Sequence, residues 1–218
     1  MDKLTNEFKN SLIYNAGDTL TDYLEVGIDN FIEDGVLREI PIVKSIVSGL
    51  RIAKNIYDRN LLKQTITFLN ELNNGTISKD RLIAYKTTIE NNPQKCEDEL
   101  GRVLLYLNSF MDKEKSIMLA KIFKAYIRQE IKWNEFCEYS EIISRFFIQD
   151  IETLKKIYID NIIIIDEFDN KYRLDRVASL GLINLYSKSK FSFGEEILDD
   201  FTIAKTEISE KFVNIIFN

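Results

Sequence analysis

Apolar residues recur at every third or fourth position along most of the chain, the period of a helix that buries one side. Leu4, Phe8 and Leu12 begin the pattern, and Leu20, Leu24, Ile28, Phe31 and Ile32 continue it after a break at 16–17. Thr19, with Asp22 three residues on, has the form of an N-cap with an acidic third position, and Asp34-Gly35 reads as a stop. From Pro41 a stripe of Val43, Ile46, Val47, Leu50 and Tyr57 leads into Leu61, Leu62, Ile66, Leu69 and Leu72 and ends at "NNGT". It predicts one very long helix, or two meeting near 58–60.

Later punctuation is sharper. Ser78 with Asp80 in the following turn predicts a capped helix start, and Asn92-Pro93 places a cap before a proline that needs no amide partner. The segment from Pro93 carries Leu100, Val103, Leu104, Leu107 and Phe110. Asp112 is expected to cap a helix holding Leu119, Ile122, Phe123, Tyr126 and Ile127. A further stripe runs through Trp133, Phe136, Cys137, Ile142, Ile143, Phe146 and Phe147, and Asp150 is expected to cap a short helix with Leu154 and Ile157. Short connections between such helices favour antiparallel neighbours, so residues 1–150 read as a multi-helix body.

Beyond residue 150 the period changes. "NIIIID" is a β-branched run that fits either a buried strand or the end of the preceding helix. "KYRLDRVASL" is helical in pattern and stops at Gly181, a residue free to adopt the left-handed conformation that ends helices. "LINLYS" and "DDFTIAK" alternate as two strands of a hairpin with a long tip, and a helix from Thr206 closes the chain. Helix, glycine, strand, hairpin, strand, helix is a winged-helix-like order. The expected fold is therefore mainly α: a helical body over 1–150 and a winged-helix-like module over 151–218.

That order makes Lys171, Arg173 and Arg176 on the helix, with Lys188 and Lys190 at the hairpin, candidates for meeting phosphates. Charge opposes this. The chain carries a net −6, and from 151 onward nine basic residues face twelve acidic ones. A protein-contacting module is the better expectation, with a DNA-binding regulator as an alternative. A second candidate surface is the polar side of the amphipathic segment 41–57, where Lys44, Arg51 and Lys54 could face a membrane surface or a partner groove.

Composition removes much chemistry. The chain has no histidine, the usual neutral-pH base and commonest metal ligand. Triad-type nucleophilic sites are thereby excluded, and no phosphate-binding glycine loop occurs. The carboxylates Asp160, Asp166, Glu167 and Asp169 lack the glycine of a calcium loop and read as a solvated connector. Cys96 and Cys137 lie within apolar stripes and read as small hydrophobes in a reducing cytosol. The N-terminal "MDKLTNEFKNSLIYN" lacks the apolar run of a signal peptide. No catalytic residue, metal or cofactor is expected.

The stretches "EIPIVKSIVSGLRIAKNIYDRNLLKQTITFLNEL", "DKEKSIMLAKIFKAYIRQEIKWNEFCEYSEII" and "LGLI…FTIAKTEISEKFVNII" resemble a recurrent type of uncharacterised helical bacterial and prophage protein. The C-terminal "LGLI" with its final helix is also similar to the abortive infection alpha family. Where winged domains often read Thr-x-x-Gly, this chain has "TEIS". The resemblance implies a cytoplasmic protein of phage defence or prophage biology and carries over no active-site residue. The expected function is that of a non-enzymatic interaction protein, exercised through a protein partner or homo-oligomer.

Overall fold

The computed structural model describes residues 3–12, 40–49, 56–74, 77–165, 168–188 and 200–217. Ten α-helices are found among them: α1 (Lys3–Ser11), α2 (Pro41–Gly49), α3 (Ile56–Asn73), α4 (Lys79–Glu90), α5 (Pro93–Ser109), α6 (Lys113–Ile127), α7 (Trp133–Arg145), α8 (Ile151–Tyr158), α9 (Lys171–Ser179) and α10 (Glu207–Phe217). A 3₁₀ turn (Ile148–Asp150) precedes α8, and strands β1 (Ile183–Lys188) and β2 (Asp200–Lys205) separate α9 from α10. The chain is thus mainly helical with a small antiparallel sheet near its C-terminal end, as the periodicity predicts. The Thr19 cap, the stripe over 20–32 and the Asp34-Gly35 stop lie outside the described residues.

Contacts divide the chain into two units, Met1–Ser140 and Glu141–Asn218, so the division falls within α7. The helix punctuation placed a boundary at 150–151.

In the first unit the helix starts follow local chemistry. Ser78 Oγ accepts from the Arg81 amide at 3.4 Å, and Asn92 Oδ1 accepts from the Lys95 amide at 3.0 Å with Pro93 in the first turn. Asp112 occupies its cap position without a side-chain cap bond. The cap of α2 comes from far away in sequence: the Ile42 amide donates to Ser11 Oγ at 2.9 Å. Residues 58–60 lie inside an unbroken α3, so no junction falls there. Tyr57 is 70 % exposed rather than part of the core stripe. Five positions before Leu62, at 3.6 residues per turn, it points about 140° away from the side that Leu62, Ile66 and Leu69 bury.

α3 packs most extensively on α6. A run of rings links several helices: Phe8 of α1 meets Phe68 of α3 at 5.7 Å, Phe68 meets Phe123 of α6 at 5.7 Å, and Phe123 meets Phe136 of α7 at 5.6 Å. Edge-on and tilted pairs at these spacings add to the burial of large apolar area. Polar ties hold the same interface. The fully buried Gln64 accepts from Ser116 Oγ at 2.7 Å and donates to the Met111 carbonyl at 3.1 Å, while Lys124 Nζ donates to Glu71 Oε1 at 2.7 Å. α6 ends in a left-handed residue that is not glycine, Gln129 at φ 64°, with the Glu130 amide reaching back to the Ala125 carbonyl. A side chain in that conformation costs about 1 kcal/mol.

In the second unit Leu154, Ile157, Leu174, Val177, Leu182 and Ile203 form a largely aliphatic core, joined by the buried rings of Phe146, Phe168 and Phe212. Gly181 takes φ +74°, and a Cβ there would meet nothing within 4 Å, so conformation rather than space requires the glycine. β1 and β2 pair with Ile183 opposite Lys205 and Leu185 opposite Ile203. Of the run "NIIIID", the described residues 161–165 belong neither to a strand of the hairpin nor to α8. Ile164 makes an isolated antiparallel bridge with Thr202, the Ile203 amide donates to the Ile163 carbonyl at 2.8 Å, and Ile163 and Ile164 remain largely exposed. Pairing on the free flank of β2 satisfies backbone groups there without covering these side chains.

α10 starts at Glu207, with Thr206 outside as its cap: the Thr206 amide donates to Ser209 Oγ at 3.0 Å and the Ser209 amide to Thr206 Oγ1 at 3.3 Å. This is the reciprocal capping arrangement with serine in the third position. The "TEIS" segment thereby acquires a structural role. Thr206 Oγ1 also donates to the Gly181 carbonyl at 2.8 Å, and Tyr158 Oη donates to the Leu182 carbonyl at 2.8 Å while touching Ser209 Oγ. The turn after α9 is therefore fixed from both α8 and the start of α10.

Candidate interaction surface

α9 displays the basic residues singled out in the sequence, and the structure gives its two arginines internal partners. Arg176 Nε donates to Asp150 Oδ2 at 3.0 Å and Nη2 to Asp150 Oδ1, a two-pronged ion pair with a carboxylate that is 0 % exposed. That bond pushes the guanidinium still further above its ordinary range. Arg173 Nη1 donates to the Gln149 carbonyl at 3.0 Å. The two arginines thus tie α9 to the 3₁₀ turn and its flank. Asp150 makes no side-chain cap bond to α8, contrary to the sequence expectation, because its carboxylate faces Arg176.

Two aromatic rings lie against the Arg176 guanidinium. Its central carbon lies 4.5 Å from the Phe147 centroid and 5.1 Å from that of Tyr172. A guanidinium over a ring gains electrostatic attraction as well as contact. Both rings remain open to solvent, Phe147 at 54 % and Tyr172 at 56 %. Phe147 was expected on the apolar stripe of the preceding helix. That helix ends at Arg145, so Phe146 turns into the core and Phe147 turns outward.

Of the remaining basic candidates, Lys171 is exposed at the first position of α9, and Lys188 ends β1 opposite Asp200. Lys190 lies outside the described residues, as do Asp166 and Glu167 of the acidic connector. Among the described cations, Arg173 is held by the Gln149 carbonyl and Arg176 by Asp150.

The second candidate surface is partly described. Lys44 is exposed on α2, beside a cleft of about 340 Å³ that Lys3 and Glu7 of α1 also line. Arg51 and Lys54 lie outside the described residues. The apolar side of α2 is already occupied, since Ile42, Val43 and Ile46 are buried where α2 packs on α1. No helix among the described residues is long and apolar enough to cross a membrane. Cys96 and Cys137 are free thiols, and burial pushes both of them up, away from the reactive thiolate.

Sequence reasoning missed Asp150 as an ion-pair partner and Phe147 as a surface ring. The separation of 26 positions between Asp150 and Arg176 carries no periodic signal. The only legible hint was an acidic residue placed just before an apolar stripe, which equally describes an N-cap. No protein-family model, curated protein or solved structure matches this chain.

Proposed function

We propose that this chain is a non-enzymatic, cytoplasmic protein-interaction component of bacterial phage defence or prophage biology, acting through its C-terminal unit. The observation that carries the reading is the pair of exposed rings, Phe147 and Tyr172, held against an arginine that Asp150 anchors. Aromatic side chains beside arginine are the residue types that dominate protein–protein contact energies, and rings held in place lose little freedom on binding. The same anchoring disfavours DNA reading, because Arg176 is paired with Asp150, Arg173 is hydrogen-bonded to the Gln149 carbonyl, and residues 151–218 carry more acid than base. The partner that fits is a protein offering an apolar centre with a basic rim, which complements the acidic excess.

The test is affinity capture from the bacterial host with mass spectrometry, comparing the native chain with a Phe147→Ala/Tyr172→Ala variant. A basic-rimmed protein retained by the native chain and lost by the variant is the expected result. Equal retention by both sinks the assignment of the surface. A salt-sensitive mobility shift with duplex DNA, abolished by Lys171→Ala, would instead establish a DNA-binding regulator. Co-sedimentation with anionic vesicles, abolished by Lys44→Ala, would establish a membrane-active effector.

A further inference from the structure

A cavity of about 430 Å³ opens in the first unit between α4, the start of α5 and the end of α6. Its volume falls in the range of small-molecule sites. Tyr85 and Tyr126 form an aromatic wall, their rings 6.0 Å apart and near perpendicular, while Arg81, Lys95 and Gln129 supply polar groups. Beneath the rings sits Glu99, only 3 % exposed, which accepts from Tyr85 Oη at 2.8 Å and from Tyr126 Oη at 2.6 Å. Burial, reinforced by Glu99, raises the titration of both hydroxyls, so they stay protonated as donors. A molecule in the cavity therefore meets rings and hydroxyl oxygens, with the carboxylate sealed below them.

The charge around this opening favours an anion. Lys95 Nζ forms an ion pair with Glu99 Oε1 at 3.6 Å, beyond hydrogen-bond length, so its donors can still serve a ligand. Arg81 leans over the end of α6, its Nη1 3.5 Å from the Arg128 carbonyl, and its planar fork suits an oxyanion. Two cations against one buried carboxylate leave the cavity net positive. Gln129 is the left-handed residue that ends α6; glycine would sit there without strain, yet a side chain with an amide donor lines the cavity.

We propose that this cavity binds a small organic oxyanion, a carboxylate or phosphate ester on a flat apolar body, with Arg81, Lys95 and Gln129 on the oxyanion and Tyr85 and Tyr126 against the body. Recognition by a cationic fork and an aromatic wall is common to both anions.

Trp133 provides the readout. It is the only tryptophan in the chain, and its ring lies 5.3 Å from that of Tyr126. The full chain is titrated at constant ionic strength with benzoate, phenyl phosphate and the neutral benzamide, following Trp133 emission. Saturation with at least one anion is expected, with benzamide weaker by about tenfold, or about 1.4 kcal/mol. Tighter binding of phenyl phosphate assigns a phosphate ester, and tighter binding of benzoate a carboxylate. Arg81→Gln and Lys95→Gln, both on solvent-accessible side chains, should each weaken the anion by about tenfold with unchanged circular dichroism. Gln129→Gly should raise the thermal midpoint while weakening the anion, a combination that a purely structural role for Gln129 does not produce. The proposal is overturned if neither anion saturates below about 10 mM. It is equally overturned if benzamide binds as tightly as the anions, or if the Arg81 and Lys95 variants bind like the native chain.

Discussion

Among the described residues, each unit buries one carboxylate and stabilises it differently. In the first, Glu99 lies among rings and accepts two neutral hydroxyls from different helices, with Lys95 nearby. In the second, Asp150 lies beneath the surface and faces a single guanidinium. Neutral donors can be removed one at a time, because each loss leaves the other bond in place. A single counter-charge cannot be removed without stranding a charge away from water. The first arrangement therefore spreads its cost over three helices, whereas the second concentrates it in one residue.

The sharpest test of that contrast is Arg176→Ala. Leaving Asp150 buried and unpaired should cost about 3 kcal/mol in denaturant unfolding. The reciprocal Asp150→Ala should cost about half as much, since Arg176 is partly exposed and keeps contact with two rings. Equal costs would show that the burial of Asp150 is not what matters.

Tyr85→Phe should be milder, about 1.5 kcal/mol, because Tyr126 still donates to Glu99. Trp133 emission reads this variant within its own unit. A cost equal to that of Arg176→Ala would erase the distinction drawn between the two carboxylates.

Alkaline pH probes the first unit further. Folding raises the hydroxyls of Tyr85 and Tyr126, and burial raises Tyr139 to about 12. Below about pH 10 both folded and unfolded forms keep these protons, so they add no pH dependence. Between about 10 and the folded value only the unfolded chain releases them, and stability falls by up to about 1.4 kcal/mol per pH unit for each group. Tyr85→Phe should flatten that fall; an unchanged slope would remove Tyr85 from its cause.

The smallest expected effect is at Gly181. Alanine meets no atom there but must hold a positive φ, so Gly181→Ala should cost about 1 kcal/mol and Gly181→Asn less. A loss of several kcal/mol would mean that the turn matters through more than its conformation.

The fold was legible where burial is apolar and periodic. Leu62, Ile66 and Leu69, or Leu174 and Val177, follow one helix side, and Ser78, Asn92 and Gly181 mark helix ends through local chemistry. Groups whose partners are distant in sequence were illegible. Gln64, Lys124, Glu99 and Asp150 are buried, yet in the sequence they have the polarity of surface residues, since only a tertiary partner makes their burial tolerable. The same limit applied to the candidate surface. Arg173 and Arg176 stood out as cations facing outward, and nothing nearby in sequence announced Gln149 and Asp150 as their acceptors. Winged-helix-like order was visible from Gly181 onward, but the bridge from Ile164 to Thr202 was not, because a single paired step has no alternation.

That bridge sets an order of solvent entry. β2 is flanked by the 163–164 stretch on one side and by β1 on the other, whereas no strand lies outside β1 among the described residues. Deuterium should therefore invade the hairpin from the outer strand inward, and the Ile203 amide, held by the Ile163 carbonyl, should be among the last in the sheet to exchange.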